Sequence, residues 1–170
     1  MKHKEARSVA VAGPAGRLMT TVEGDGGMPV LFVHDVAADR SHWAETQHGL
    51  ATRSVAFDLR GLGESAGSQG PFGIEAAVED VTAVADAQLP EKFVLVGHGF
   101  GAAVASAFAA YYPERLAGLL YVEPPGDLRR MPKAEAEAWL ENFSPAKYGS
   151  FHEHWLASQL LAAKERRACW

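Results

Sequence analysis

The chain has 170 residues, of which 48% are apolar and 22% charged, so it is able to fold around a core, and global disorder is excluded. Its 16 Lys+Arg and 21 Asp+Glu residues give a net charge of -5, which provides no electrostatic reason to expect nucleic acid or a membrane surface as a partner. No apolar run reaches the roughly 18 residues of a membrane span, and the start of the chain lacks an apolar stretch of signal-peptide length. Because Cys169 is the only cysteine and no internal disulfide can form, we expect a cytoplasmic protein.

Short apolar, β-branched runs alternate with longer helical patterns, which is typical of an α/β domain with a largely parallel sheet. The first two strands flank Pro14 and Gly16, which favour a turn, so we expect them to form an antiparallel hairpin at the sheet edge. Strands are predicted at residues 8–12, 17–23, 30–34, 54–58, 93–96 and 119–123, and helices at 40–51, 74–88 and 102–112.

The pattern changes after the sixth predicted strand. From Pro132 onward apolar residues lie four apart, as Trp139 and Phe143 do, which predicts two amphipathic helices. We therefore expect two domains: residues 1–128 form the α/β core and residues 129–170 form a partial helical cap.

Three strand ends carry short motifs: VHDV at 33–36, DLRGLGES at 58–65 and GHGFGA at 97–102. Taken together and in this order, they resemble the α/β-hydrolase superfamily, and the resemblance extends from about Val30 into the cap-like segment. It implies a mostly parallel sheet with about six of the family's usual eight strands, flanked by helices. It also implies a relationship to small-molecule hydrolases that act on ester, amide, epoxide or similar bonds.

The family's nucleophile elbow, Gly-x-Ser-x-Gly, is a sharp turn between a strand and a helix that exposes a serine oxygen. In this chain the frame is intact, but the nucleophile position is Gly99. Glycine adopts the positive φ of such a turn without steric cost, so we expect the turn to survive without its nucleophile. His98 stands where the family commonly carries a structural histidine.

The resemblance also implies an oxyanion hole made of the backbone N–H groups of Val36 and Phe100, neither of which depends on a side chain. His34 should orient the loop that carries Val36. The family usually has His-Gly at this point, whereas this chain has Asp35 after His34. A carboxylate here opposes a developing oxyanion unless it points away.

The remaining parts of a catalytic triad have few candidates. Glu123, at the end of the sixth strand, is a candidate acid, while the Asp58 turn is expected to be structural. His152 and His154 are two apart on a predicted helix and so face opposite sides, which favours neither a paired base nor a metal site. Because the family's later acid and histidine have no counterpart, we expect an incomplete and inactive hydrolase.

Two alternatives remain open. The first is a non-catalytic pseudo-hydrolase that binds a small molecule in the retained pocket. The second is a dinucleotide-binding module, because Gly97-x-Gly99-x-x-Ala102 matches the Gly-x-Gly-x-x-Gly/Ala fingerprint. In the leading interpretation no cofactor is expected, and the apolar sixth strand is expected to be an open edge through which the chain self-associates.

Overall fold

The computed structural model describes residues 5–36, 38–125 and 132–135. The chain divides into two compact units, Met1–Pro125 and Gly126–Trp170, and the fold reported below is that of the first. Most of the cap predicted over 129–170, including His152, His154 and Cys169, lies outside the described residues. The boundary at residue 128 therefore stays a prediction.

The described part of the chain contains strands and helices at nearly all the predicted positions. The strands are β1 (Arg7–Gly13), β2 (Gly16–Glu23), β3 (Val30–Val33), β4 (Ser54–Phe57), β5 (Phe93–His98) and β6 (Leu116–Val122). The α-helices are α1 (Ala44–Gly49), α2 (Ile74–Gln88) and α3 (Phe100–Tyr111), and 3-10 turns occupy Arg40–Trp43, Gly63–Ser65 and Pro113–Arg115.

The six strands form one sheet in the order β1-β2-β4-β3-β5-β6. β1 and β2 are an antiparallel hairpin at one edge, as predicted, and β2 is also antiparallel to β4. The remaining pairs, β4 with β3, β3 with β5 and β5 with β6, are parallel. The predicted mostly parallel α/β sheet is thus confirmed, and the carboxyl ends of β3, β4 and β5, which carry the three motifs, lie at the same edge.

Apolar side chains fill the space on both faces of the sheet. Successive residues of a strand point to opposite faces, so Leu31 and Val33 join the cluster that includes residues of α2 and α3, while Phe32 packs with Trp43 on the other side. The ring centroids of Phe32 and Trp43 are 4.7 Å apart. None of the helices in the described ranges is long and apolar enough to cross a membrane.

Most element ends differ from the prediction by one to three residues, and three of these differences have a physical cause in the structure. The helix expected over 40–51 is a 3-10 turn followed by α1, because the Asp39 side chain accepts the Ser41 N–H and tightens the first turn. α3 begins at Phe100 because the turn at Gly99 leads directly into the helix. β6 is Leu116–Val122 rather than 119–123, because pairing with β5 sets its start and Glu123 leaves the strand with a φ of 46°.

Candidate functional site

The candidate site lies where β3 and β5 run side by side. Val33 is opposite Gly97 in the parallel register, so the residues that follow each strand emerge next to each other. The chain turns from β3 to β4 on one side and reaches β5 on the other, which makes this a topological switch point, where α/β sheets commonly bind ligands. The sheet thereby brings together the first and third sequence motifs.

Two glycines make the close approach of these elements possible. A Cβ at Gly97 would lie 2.7 Å from the Ala102 Cα, and one at Gly101 would lie 2.8 Å from the His34 carbonyl oxygen. Both distances are far below normal contact, so any side chain at either position would push α3 away from the sheet. The outer glycines of the Gly-x-Gly-x-Gly frame are therefore required by packing.

Gly99 has the backbone of a sharp turn between a strand and a helix. Its φ is 54° and its ψ is -118°, in a region that favours glycine, and its N–H donates to the Val122 carbonyl at 3.1 Å. The predicted elbow geometry is present, and its central residue has no side chain that could act as a nucleophile.

The side chain of Asp35 occupies the space at the elbow. Its Oδ1 accepts the Phe100 N–H at 2.7 Å and the Val36 N–H at 2.9 Å. These are the two backbone donors of the oxyanion hole that the family resemblance implies. An ideal Cβ at Gly99 would lie 2.5 and 2.6 Å from the Asp35 Oδ1 and Oδ2 atoms. The carboxylate therefore points toward the predicted hole and not away from it, which is the orientation in which it opposes a developing oxyanion.

His34 ties the first motif to the second and is fully buried. Its Nε2 accepts the Leu59 N–H at 3.0 Å, so its Nδ1 carries the proton and donates to the Asp35 carbonyl at 2.6 Å. Burial lowers the pKa of His34, against the opposing effects of that carbonyl and of nearby carboxylates. Both ring nitrogens are thus engaged within the protein, which fits the predicted role in orienting the loop.

His98 and Glu123 face each other at the end of the sheet. The His98 Nε2 is 3.5 Å from a Glu123 carboxylate oxygen, while its Nδ1 is buried and has no hydrogen-bond partner among the described residues. The ring of His42 stacks on that of His98 with centroids 4.9 Å apart and planes 6° apart. Partial burial, followed by repulsion from His98, lowers the pKa of His42.

The second motif makes structural contacts. The buried Asp58 carboxylate accepts the backbone N–H of Arg40 at 2.7 Å and of Glu64 at 2.9 Å, and it also pairs with the Arg40 guanidinium. The Ser65 hydroxyl accepts the Met19 N–H at 2.9 Å. These bonds fix the turn that follows β4 against β2 and the helix after β3, in line with the structural role predicted for the motif.

The glycine fingerprint follows β5 and opens α3, as the dinucleotide alternative requires. However, the Phe100 N–H, which a phosphate would need at this helix N-terminus, already donates to Asp35. A negative carboxylate at this point repels a phosphate, so the geometry disfavours that alternative.

Two features of the site were missed from the sequence. The first is the direction of the Asp35 side chain, and the second is the stacking of His42 on His98. A signal for the first was present, because Asp35 replaces the family's glycine while Gly99 replaces its serine. The Asp35 side chain is gained and the serine side chain at position 99 is lost, and the Asp35 carboxylate lies where a side chain at position 99 would begin.

A family model and individual relatives of known name both match this chain. The model of the alpha/beta hydrolase family matches residues 30–169. Epoxide hydrolase B of Mycobacterium tuberculosis is 39% identical over 104 residues, which are 58% of this chain and 29% of that protein. Lipase LipV of the same organism is 36% identical over 96 residues, which are 56% of this chain and 36% of the lipase. The chain spans about a third of the length of the curated relatives it matches.

Among solved structures, the fold is similar to that of Est816, described as an N-acyl homoserine lactone degrading enzyme. The TM-score is 0.70 at 26% sequence identity, and the match covers 84% of this chain and 55% of Est816.

Proposed function

The chain belongs to the alpha/beta hydrolase family, and we propose that it is a catalytically silent member of that family, related to hydrolases of small ester, epoxide or similar substrates. One observation carries this proposal: the elbow residue is Gly99, and the Asp35 carboxylate fills the space above it. The relatives named as an epoxide hydrolase and a lipase support the relationship to hydrolases of epoxide and ester substrates.

Acyl transfer at an elbow needs a nucleophile and a pair of donors for the developing oxyanion. Gly99 supplies no nucleophilic atom. The donors are the N–H groups of Phe100 and Val36, and both already bind Asp35 Oδ1. A substrate carbonyl oxygen would have to displace a negatively charged group that is held by two hydrogen bonds. Both requirements of the chemistry are therefore unmet in the same place.

The two histidines that border the elbow, His34 and His98, make contacts within the protein. His34 uses both ring nitrogens in hydrogen bonds to backbone groups. His98 directs its Nε2 toward Glu123, and its Nδ1 is buried. These contacts support structural roles for His34 and His98.

Our second candidate function is non-catalytic binding of a small molecule at the same site. It is favoured by the intact positions of the two donors, which hold a carboxylate oxygen at 2.7 and 2.9 Å. The two donors are thus still placed to bind an oxygen, and a neutral ligand of the unchanged protein would have to displace Asp35 from them.

The proposal is tested by measuring turnover of p-nitrophenyl acetate and of an aryl epoxide by the purified chain. We expect no turnover above that of a heat-denatured sample, either for the unchanged protein or for the Gly99→Ser variant. Turnover by the unchanged chain that is lost in His98→Gln or Glu123→Gln, and retained in the control Glu114→Gln, would overturn the proposal. Glu114 is a suitable control because it is exposed and lies in a separate 3-10 turn.

A further inference from the structure

We propose that Asp35 is an internal ligand of the oxyanion hole, and that the emptied hole is a binding site for a small monocarboxylate such as formate or acetate. The inference deepens the proposed function and rests on it in one respect, namely that residue 99 contributes no reacting group.

The geometry of Asp35 is that of a bound ligand. One carboxylate oxygen, Oδ1, receives both N–H groups, at 2.7 Å from Phe100 and 2.9 Å from Val36. The two donors come from separate elements, since Phe100 is the first residue of α3 and Val36 follows β3. Charge-assisted bonds to one oxygen are the arrangement by which such a hole stabilises an oxyanion.

The carboxylate also occupies the volume that an elbow side chain would need. A Cβ on Gly99 would approach Oδ1 and Oδ2 to 2.5 and 2.6 Å, so the elbow side chain and Asp35 exclude each other in these positions. Within the described residues Oδ2 accepts no hydrogen bond, so its position is set by the bonds to Oδ1. The space above Gly99 therefore accommodates one carboxylate group.

Size and charge define the ligand class. Removal of the Asp35 side chain leaves two orphaned N–H groups, one of them at the N-terminus of a helix of 12 residues, where a negative charge is favoured. The vacated volume is that of the side chain, which formate or acetate approximates. With Asp35 present, a second carboxylate meets like-charge repulsion and filled donors, so the unchanged protein should not bind one.

The test is thermal unfolding in sodium formate against sodium chloride of equal ionic strength. For Asp35→Gly we expect formate to raise Tm saturably, by about 3–6 °C at about ten times its Kd. The unchanged protein should show no difference between the two salts. Asp35→Asn should likewise show no difference between the two salts, because the amide oxygen keeps accepting both N–H groups. Asp39→Gly removes a carboxylate of the same loop that accepts the Ser41 N–H, and serves as the matched control.

Hydrogen exchange gives a second readout at the two amides themselves. The Phe100 and Val36 N–H groups should be protected in the unchanged protein, exposed in Asp35→Gly, and protected again in formate. If Asp35→Gly does not fold alone, formate and not chloride should recover the folded protein on refolding. No response of Asp35→Gly to formate in either form, or an equal response of the unchanged protein, would overturn the inference. Neither result depends on the ester assay, so the two proposals fail separately.

Discussion

The exclusion between residues 35 and 99 predicts a favourable coupling in a double-mutant cycle. The four proteins are the unchanged chain, Gly99→Ser, Asp35→Gly and the double variant. Serine at 99 places its Cβ about 1 Å too close to the Asp35 carboxylate, given the 2.5 and 2.6 Å separations. In the double variant that conflict is absent, so the second substitution should cost less in the background of the first.

The magnitudes follow from the contacts. Overpacking costs about 1–3 kcal/mol, and a non-glycine residue at the φ of 54° costs a further ~1–2 kcal/mol. The backbone cost is the same in both backgrounds and cancels in the cycle. Asp35→Gly loses two hydrogen bonds to a charged acceptor, each worth about 1.5–3 kcal/mol, and the lower end applies because the side chain is only partly buried. The steric part alone sets a coupling of about 1–3 kcal/mol.

The measurement is urea unfolding followed by circular dichroism for all four proteins, with Gly99→Ala in both backgrounds to separate the volume of the side chain from its hydroxyl. We expect the double variant to be more stable than the sum of the single effects predicts, by the amount given above. Additive effects to within about 0.5 kcal/mol would refute the claim that the two side chains compete for one space.

Three further predictions concern stability and association. Burial lowers the pKa of His34, so below pH 6.5 the unfolded chain binds a proton at this residue more readily than the folded protein does. The free energy of unfolding should therefore fall by up to about 1.4 kcal/mol per pH unit as the pH drops. In urea unfolding at pH 7.5 and 5.5, His34→Asn should reduce this dependence on pH. Arg60→Met should lower the free energy of unfolding by about 3–5 kcal/mol, because it leaves the Asp80 carboxylate buried without the guanidinium that binds both of its oxygens at 2.7 Å. A decrease below about 1 kcal/mol in chemical unfolding would contradict this. We propose that β6 pairs with β6 of a second copy of the chain. Light scattering should then show a mass above that of the monomer, which increases with protein concentration. Leu120→Lys should abolish this association and Met28→Lys should not; a monomer at every concentration would rule the proposal out.

Met28→Lys is an informative control for Leu120→Lys because the two side chains are equally exposed. Leu120 and Met28 are each 51% exposed, but only Leu120 lies on β6. β6 has no charged residue from Leu116 to Val122, and in the described part of the chain its one strand partner is β5. An uncharged edge of this length is a template for pairing with a strand of another chain.

Much of the fold was available from the sequence. Apolar runs such as 30–34 and 93–96 predicted the central strands because a strand covered on both faces must be apolar throughout. The predicted helix at 74–88 agrees with α2 residue for residue. The ends of other elements were less certain: β6 starts three residues before its predicted position, because backbone pairing with β5 rather than composition decides where it begins.

The sequence by itself determined that the elbow lacks a nucleophile, since Gly99 has no reactive atom in any conformation. It also determined that the turn could form, because glycine adopts the required positive φ. What fills the elbow was decided only by tertiary structure. Asp35 and Phe100 are 65 positions apart, and the parallel pairing of β3 with β5 brings them together. The direction of one carboxylate depends on that pairing and on its rotamer, and neither is encoded in a local pattern of residues.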